Sequence, residues 1–262
     1  MSEAPHDDSL RLRLEVSGLA VVAGMLFVMS YRLVPAVVVM QSLLHPAVVI
    51  GGIWTGQLWY LTQNLAGDQH LALSTHLRSL GIANGVTLLR GGLFAVVAGF
   101  VVVPPDTSLA WVPAVCYGIG AFLDRIDGLV ARTVGRPTEL GERLDMAFDT
   151  FGFVAAPVVA VFWGQLPVWY LSLSAARYVF RGAKYCRQRR GRTLFDRPDS
   201  DLGKYLAGFQ MVFLTIALVP SVPTGLVTMV APAALAPSLA VFIRDYCYVA
   251  GWLPIGDDTG RN

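Results

Sequence analysis

Long apolar blocks recur along this chain and constrain its fold more than any other feature. They lie at residues 16–31, 33–53, 84–103, 109–123, 146–163, 168–186, 205–219 and 226–243. A membrane-spanning helix needs about 20 predominantly apolar residues. Several blocks are shorter, so the polar ends of their helices should continue beyond the lipid or line a wet cavity. We therefore predict an all-α integral membrane protein with six spans from residue 84 onward and one or two extra hydrophobic helices before them.

The composition agrees with this class. Of the 262 residues, 55% are hydrophobic and only 15% are charged, whereas a soluble domain carries charges at about a quarter of its positions. A net charge of +2 lacks the strongly basic character of nucleic-acid-binding domains. The three cysteines show no metal-binding spacing. We expect membrane lipids around this chain, and no nucleic-acid partner.

The connectors between the apolar blocks differ in charge. Residues 103–108, 164–167 and 220–225 contain no Lys or Arg, whereas 125–143 and 187–197 are rich in arginine. Because basic connectors stay in the cytoplasm, we expect these two connectors and both termini on the cytoplasmic side of the cell membrane. The predicted division is an N-terminal extension at 1–80, with one or two hydrophobic helices and an interfacial segment, a six-span catalytic domain at 81–250, and a tail at 251–262.

Four aspartates stand at helical spacing beside a basic connector. Asp124 and Asp127 are three residues apart, and Asp145 and Asp149 are four apart, so each pair shares one face of its helix. The stretch between the two pairs is short. We expect the two helices to be antiparallel neighbours whose carboxylates converge at the cytoplasmic edge of the bilayer.

Converging carboxylates need neutralising cations, because like charges in a partly dry site repel strongly. With no His or Cys nearby, Mg²⁺ or Mn²⁺ is favoured over zinc. Two such ions about 4 Å apart suit an in-line displacement at phosphorus. Arg132 offers a planar fork for phosphate, and Gly128 and Gly141 allow a ligand to approach the helices closely. Ion pairs with neighbouring arginines would explain one aspartate, but explain the whole set poorly.

Residues 124–149 resemble the signature of the CDP-alcohol phosphotransferase family, D-x2-D-G-x2-A-R-x8-G-x3-D-x3-D, at every fixed position. With the six-span layout, the resemblance extends over about 84–244 and leaves 1–79 unexplained. It implies a homodimeric membrane enzyme of phospholipid biosynthesis. Such an enzyme transfers a substituted phosphoryl group from a CDP-alcohol, here a CDP-lipid, to a second alcohol and releases CMP.

The resemblance also implies roles for individual residues. Asp124, Asp127 and Asp145 would bind metal, and Asp149 would reach a second ion and act as the general base. The residues implied in the nucleotide pocket and diphosphate contact are Gly128, Ala131, Arg132 and Gly141. Asn84 and Thr87 resemble an Asn and a Thr that the family often carries before its first span, where they would lie near the cytidine.

A basic stripe indicates the acceptor. Arg177, Arg181 and Lys184 recur at i, i+4 and i+7 in an apolar block, and so share one helical face. Charged residues inside a span usually face a cavity, and Lys204 adds a further cation. This pattern resembles family members whose acceptor is a phosphorylated polyol. We predict glycerol phosphate, with inositol phosphate or an uncharged or zwitterionic alcohol (serine, choline, ethanolamine) as alternatives.

Other functional classes fit the acids less well. An ion-coupled transporter would spread its carboxylates over distant spans near mid-membrane, whereas these lie within residues 124–149 at one edge. An intramembrane aspartyl protease needs one pair of aspartates, and a non-catalytic scaffold has no use for four. The transferase is therefore the favoured prediction.

Overall fold

The computed structural model describes residues 44–67, 81–133, 139–195 and 201–253, with isolated positions between 17 and 31. Within its helices, the side chains of 65–67, 81–84, 127–133 and 139–140 lie outside the described part. The described ranges contain helices and no β-strand, as predicted for an all-α protein.

Seven α-helices lie in the described ranges. They are α1 Pro46–Gly67, α2 Gly81–Gly99, α3 Val112–Thr133, α4 Glu139–Phe162, α5 Ser172–Arg189, α6 Leu202–Ala217 and α7 Thr224–Val249. Short 3-10 helices follow α2 and precede α5, at Phe100–Val102 and Val168–Leu171. Within the described residues, three segments are long and apolar enough to cross a membrane, namely Gly85–Val102, Gly141–Phe162 and Thr224–Val249. The chain is therefore an integral membrane protein.

Helices α3 and α4 run well past their apolar blocks. The block at 109–123 ends just before Asp124, yet α3 continues to Thr133. Likewise α4 begins at Glu139, before the block at 146–163. The predicted continuation of polar ends as helix is confirmed at these two places. Both groups of aspartates thus lie on helices, where their spacing keeps them on one face.

Helix α2 packs extensively against both α3 and α4, which contact each other little. The expectation that α3 and α4 are direct neighbours holds only in part, since they meet at a few residues and each packs mainly against α2. Phe94 of α2 shows the physical reason, because its buried ring contacts a glycine on each helix. A Cβ atom on Gly120 or on Gly152 would lie 2.5 Å from this ring. The two glycines leave room for an aromatic side chain from a third helix.

Helix α1 packs against α2 and also reaches α4. Trp54 covers Gly92 of α2 so closely that a Cβ atom there would lie 2.2 Å from the indole. A separate apolar cluster joins the three helices, and its buried members are Leu61, Leu88, Leu144 and Phe148. The last two directly precede Asp145 and Asp149 in the sequence. The N-terminal helix therefore supports the part of α4 that carries the aspartates.

A buried amide joins α6 to its neighbours. Gln210 accepts a hydrogen bond from the Tyr170 hydroxyl, and its Nε2 donates to the Ala234 carbonyl at 2.6 Å and to Ser238 Oγ at 3.0 Å. Both the oxygen and the nitrogen of this amide are therefore hydrogen-bonded, as buried polar groups usually are. The network links the segment before α5 to α6 and α7 at one wall of a cavity.

Candidate active site

Three of the four predicted aspartates come together. Asp124 on α3 and Asp145 and Asp149 on α4 each offer a carboxylate oxygen, and these oxygens lie within 4.8 Å of one another. The fourth, Asp127, is on α3, but its side chain lies outside the described residues. The convergence inferred from the spacing is therefore present for the three aspartates whose side chains are described.

The cation among these aspartates is Arg90 of α2. Its Nη1 donates to Asp124 Oδ1 and its Nη2 to Asp145 Oδ1, and Nη2 lies 3.1 Å from Asp149 Oδ1. The arginine side chain is only 1% exposed. Arg90 is not among the site residues predicted from the sequence, although the sequence contains a signal for it. An arginine inside the apolar block 84–103 should face a polar interior rather than lipid.

The arrangement of oxygens fits a divalent cation. Three carboxylates around one guanidinium leave net negative charge in a partly buried place, which favours further positive charge. Asp149 Oδ1 is buried without a hydrogen bond, because Arg90 Nη2 is near enough for an ion pair but lies outside hydrogen-bond geometry. Carboxylate oxygens are the ligands that Mg²⁺ and Mn²⁺ prefer. Asp124, Asp145 and Asp149 could together hold such an ion.

The residues predicted near the nucleotide are only partly described. Thr87 is buried on α2, about one turn before Arg90, and Gly141 lies on α4, about one turn before Asp145. Both therefore lie on helices that carry the charged cluster. The remaining predicted contacts fall outside the described side chains, and these are Asn84, Gly128, Ala131 and Arg132.

The basic stripe lies on α5 and faces α4. The guanidinium of Arg177 lies 4.3 Å from the centre of the Phe153 ring, and Arg181 Nη2 donates to Thr150 Oγ1 at 3.4 Å. Lys184 Nζ is 5.9 Å from the Phe180 ring. All three cations line a cavity of about 880 Å³ bounded by α4, α5, α6 and α7. The sequence prediction that this stripe faces a cavity is confirmed.

The three clustered aspartates lie beside the cavity and do not line it. Among the described residues, Met146 and Phe153 of α4 line the cavity, whereas none of the three clustered aspartates does. Thr150, which contacts Arg181, directly follows Asp149, and Arg177 is within electrostatic range of Asp149. A molecule in the cavity would therefore reach the aspartates past Arg177.

Lys204 belongs to the rim of this cavity. It pairs with Asp201 at 2.9 Å, and the two side chains are 82% and 73% exposed. Exposed pairs of this kind contribute little, about 0–1 kcal/mol, so Lys204 could exchange its partner for a ligand. The basic run that begins in the last turn of α5 has different surroundings. There, Arg187 Nη2 donates to the Ala250 carbonyl at 2.7 Å, which satisfies a carbonyl at the end of α7.

The comparisons with known proteins agree with this geometry. The search of curated proteins finds no match. The family model described as CDP-alcohol phosphatidyltransferase matches residues 80–243, most of the chain, and these residues include Arg90 and all four aspartates. The family transfers a phosphatidyl group from a CDP-alcohol and is generally dependent on divalent metal. The chain belongs to the CDP-alcohol phosphatidyltransferase family, a transferase family for phosphate-containing groups.

Proposed function

We propose that this protein transfers a phosphatidyl-type group from a CDP-lipid to a hydroxyl of a phosphorylated polyol, with glycerol phosphate as the first choice, and releases CMP. One observation carries the proposal. Asp124, Asp145 and Asp149 gather at one point, directly beside a cavity whose wall carries Arg177, Arg181 and Lys184. The aspartates suit a diphosphate with its metal ions, and the cations suit a second phosphate.

The donor would bind at the aspartates. Asp124, Asp127, Asp145 and Asp149 would hold two Mg²⁺ or Mn²⁺ ions per subunit, which would supply charge neutralisation for the diphosphate. The residues proposed around the cytidine and the diphosphate are Asn84, Thr87, Gly128, Ala131, Arg132 and Gly141. Small residues in that group would let a flat nucleotide approach the helix backbone closely.

Asp149 is the proposed general base. Of the clustered aspartates, it interacts most strongly with Arg177 on the cavity wall, ahead of Asp124, which supports a position toward the acceptor. Its carboxylate would accept the proton of the acceptor hydroxyl while that oxygen forms a bond to the lipid-bearing phosphorus. The bond from this phosphorus to the oxygen of CMP breaks, and CMP leaves with the electron pair. The positioned base typically contributes about 10²–10⁴-fold to such a step.

The acceptor would bind in the cavity. Its phosphate would lie among Arg177, Arg181 and Lys184, since charge-assisted hydrogen bonds to phosphate are strong and arginine matches its geometry. Lys204 at the rim would contribute once it leaves Asp201. An uncharged alcohol would bring no anionic group to these cations, whereas a phosphate would pair with them directly.

The membrane topology is proposed from the helices and their connectors. Helices α2 to α7 would each cross the bilayer, with the arginine-rich connectors and both termini in the cytoplasm. The aspartates at the ends of α3 and α4 would then lie at the cytoplasmic face. Residues 1–80 would form the extension, 81–250 the catalytic domain and 251–262 the tail. As the family resemblance implies, the active form would be a homodimer.

A CMP-release assay tests the proposed reaction. Purified full-length protein would receive CDP-diacylglycerol, Mg²⁺ or Mn²⁺, and in separate reactions glycerol 3-phosphate, inositol phosphate, glycerol, serine, choline or ethanolamine. We expect CMP release and a phosphate-bearing lipid product with glycerol 3-phosphate. Turnover with inositol phosphate alone would identify it as the acceptor in place of glycerol phosphate, and the acceptor would still be a phosphorylated polyol. Turnover only with an uncharged or zwitterionic alcohol would reject a phosphorylated acceptor.

A further inference from the structure

Arg90 contacts all three carboxylates of the group that could hold a divalent ion. It meets Oδ1 of Asp124 and Oδ1 of Asp145, and it approaches Oδ1 of Asp149. A divalent ion held by this group would draw on the negative charge of the same carboxylates, each of which has one oxygen directed at the guanidinium. The two cations would therefore compete for one set of carboxylates.

Arg90 can neither lose its charge nor move directly into water when a second cation binds. Guanidinium groups remain charged in proteins, so Arg90 cannot become neutral when another cation arrives. The side chain is 1% exposed, which leaves no direct exit to water. Among the described side chains, its Nε has no hydrogen-bond partner, and the head group is held through its Nη atoms by the aspartates. Weakening these contacts would free the guanidinium to shift locally.

The contacts of Arg90 also stabilise the protein when no metal is bound. Asp124 and Asp149 are each about one-quarter exposed, and neighbouring carboxylates in such surroundings repel one another. Arg90 comes from a third helix and pairs with residues on both α3 and α4. It thereby offsets the repulsion that would otherwise push α3 and α4 apart.

We propose that Arg90 is the internal counter-cation of the metal-free site and that a divalent ion binds by displacing it from the aspartates. This inference rests on the proposed metal-dependent function, but not on the identity of the acceptor. Metal binding is then an exchange of cations. Arg90 lowers the affinity for metal and stabilises the protein when metal is absent.

The test compares wild-type protein with Arg90→Gln and Arg90→Lys, and uses Arg189→Gln as the control. Arg189 is an exposed arginine stacked on Tyr185, 5.0 Å from the ring centre, in the region away from the aspartates. Two quantities are measured on purified full-length protein without donor or acceptor. They are the dissociation constant for Mn²⁺, from the free Mn²⁺ signal in electron paramagnetic resonance, and the melting temperature in chelator and in saturating Mn²⁺.

We expect Arg90→Gln to bind Mn²⁺ at least about tenfold more tightly than wild type, because a neighbouring positive charge is removed. Its melting temperature in chelator should fall by about 5–10 °C, because the aspartates lose their partner, and Mn²⁺ should restore more of this loss than it adds to wild type. Arg90→Lys, which keeps the charge, should bind Mn²⁺ with an affinity closer to that of wild type. Arg189→Gln should match wild type in both measurements.

Contrary results would distinguish a failure of this inference from a failure of the proposed function. If Arg90→Gln binds Mn²⁺ no more tightly than wild type, the exchange is rejected, and the metal-dependent transferase is unaffected. If wild type binds no Mn²⁺, both fail together. Should Arg90→Gln unfold in chelator, the protein is purified with Mn²⁺ and the ion is withdrawn by graded chelator. Release at lower chelator concentration than from wild type would then overturn the inference.

Discussion

Arg90 and Phe94 lie four residues apart on one face of α2, and each contacts both α3 and α4. Arg90 pairs with Asp124 and Asp145, and the Phe94 ring packs against one glycine on each of the same helices. Residues four apart are stacked neighbours on a helix. The aromatic contact and the charged contact therefore act on the same two helices, one turn apart, and we expect the fit of the ring to influence how far apart the aspartates lie.

The first prediction concerns this fit. Gly120→Ala places a methyl group 2.5 Å from Phe94 Cε1, and overpacking of a core typically costs about 1–3 kcal/mol. We expect a lower melting temperature in detergent and weaker Mn²⁺ binding, because α3 must move away from α2 and carry Asp124 with it.

The matched control is Gly182→Ala on α5. A Cβ atom there meets nothing within 4 Å, and Ala is favoured over Gly in a helix by about 1 kcal/mol. This variant should be as stable as wild type or slightly more stable. Equal melting temperatures for the two variants would show that Phe94 does not determine the spacing of α3.

The second prediction concerns α1, which lies outside the matched family domain. Leu61→Ala truncates a fully buried side chain in the cluster with Leu144 and Phe148. Such truncations cost about 2–5 kcal/mol, so we expect a clear loss of thermal stability. Trp59→Ala removes a larger side chain that is 64% exposed and should cost much less. The reverse order would mean that α1 does not pack on α4 through Leu61.

The third prediction concerns the proposed base. Asp149→Asn keeps the size of the side chain but removes its ability to accept a proton. We expect kcat to fall by about 10²–10⁴-fold while the binding of the CDP-lipid is retained. Both are measured, the first by CMP release and the second by equilibrium binding of the donor. A nearly wild-type kcat would limit Asp149 to a structural role, and lost donor binding would make it chiefly a metal ligand.

The fourth prediction concerns metal. Replacing Asp124 or Asp145 by Ala removes one ligand oxygen from the cluster and also one partner of Arg90. We expect weaker binding of Mn²⁺ and of the CDP-lipid together, since the ions would carry the contact to the diphosphate. Chelator should abolish CMP release by the wild-type protein, and Mg²⁺ or Mn²⁺ should restore it. Full turnover in chelator would contradict the metal requirement.

The fifth prediction concerns the acceptor. Arg181→Ala should raise the acceptor KM by about ten- to a hundredfold, as expected for a lost charge-assisted contact to phosphate. Donor binding should change little. Arg189→Ala removes an arginine from the same helix that stacks on Tyr185 and does not line the cavity, so its KM should match wild type. Small and equal effects in the two variants would favour an uncharged acceptor.

Much of this site could be predicted from local sequence. The spacing of Asp124 from Asp127, and of Asp145 from Asp149, needs only the period of a helix to place each pair on one face. The stripe at Arg177, Arg181 and Lys184 follows the same rule, and the structure confirms that it lines a cavity. These inferences succeed because neighbours at i+3 and i+4 depend on the backbone geometry of one helix.

The partner of the aspartates could not be predicted in this way. Arg90 is 34 residues from Asp124 and 55 from Asp145, so no helical period relates them. By charge alone, the arginines adjacent to the aspartates in the sequence would be the expected ion-pair partners. An arginine within the apolar block 84–103 indicated a polar interior, but which helices α2 would meet depends on side-chain packing between distant segments.

The sequence by itself determined that this chain is helical, lies in a membrane and carries four aspartates at the spacing of its family, because hydropathy and helical period act over short stretches. Tertiary structure decided what stands between the aspartates. Gly120 and Gly152 make room for Phe94, so α2 enters between α3 and α4 and places Arg90 among the carboxylates. Close packing depends on the shapes of side chains from several helices together, and no single stretch of sequence contains that information.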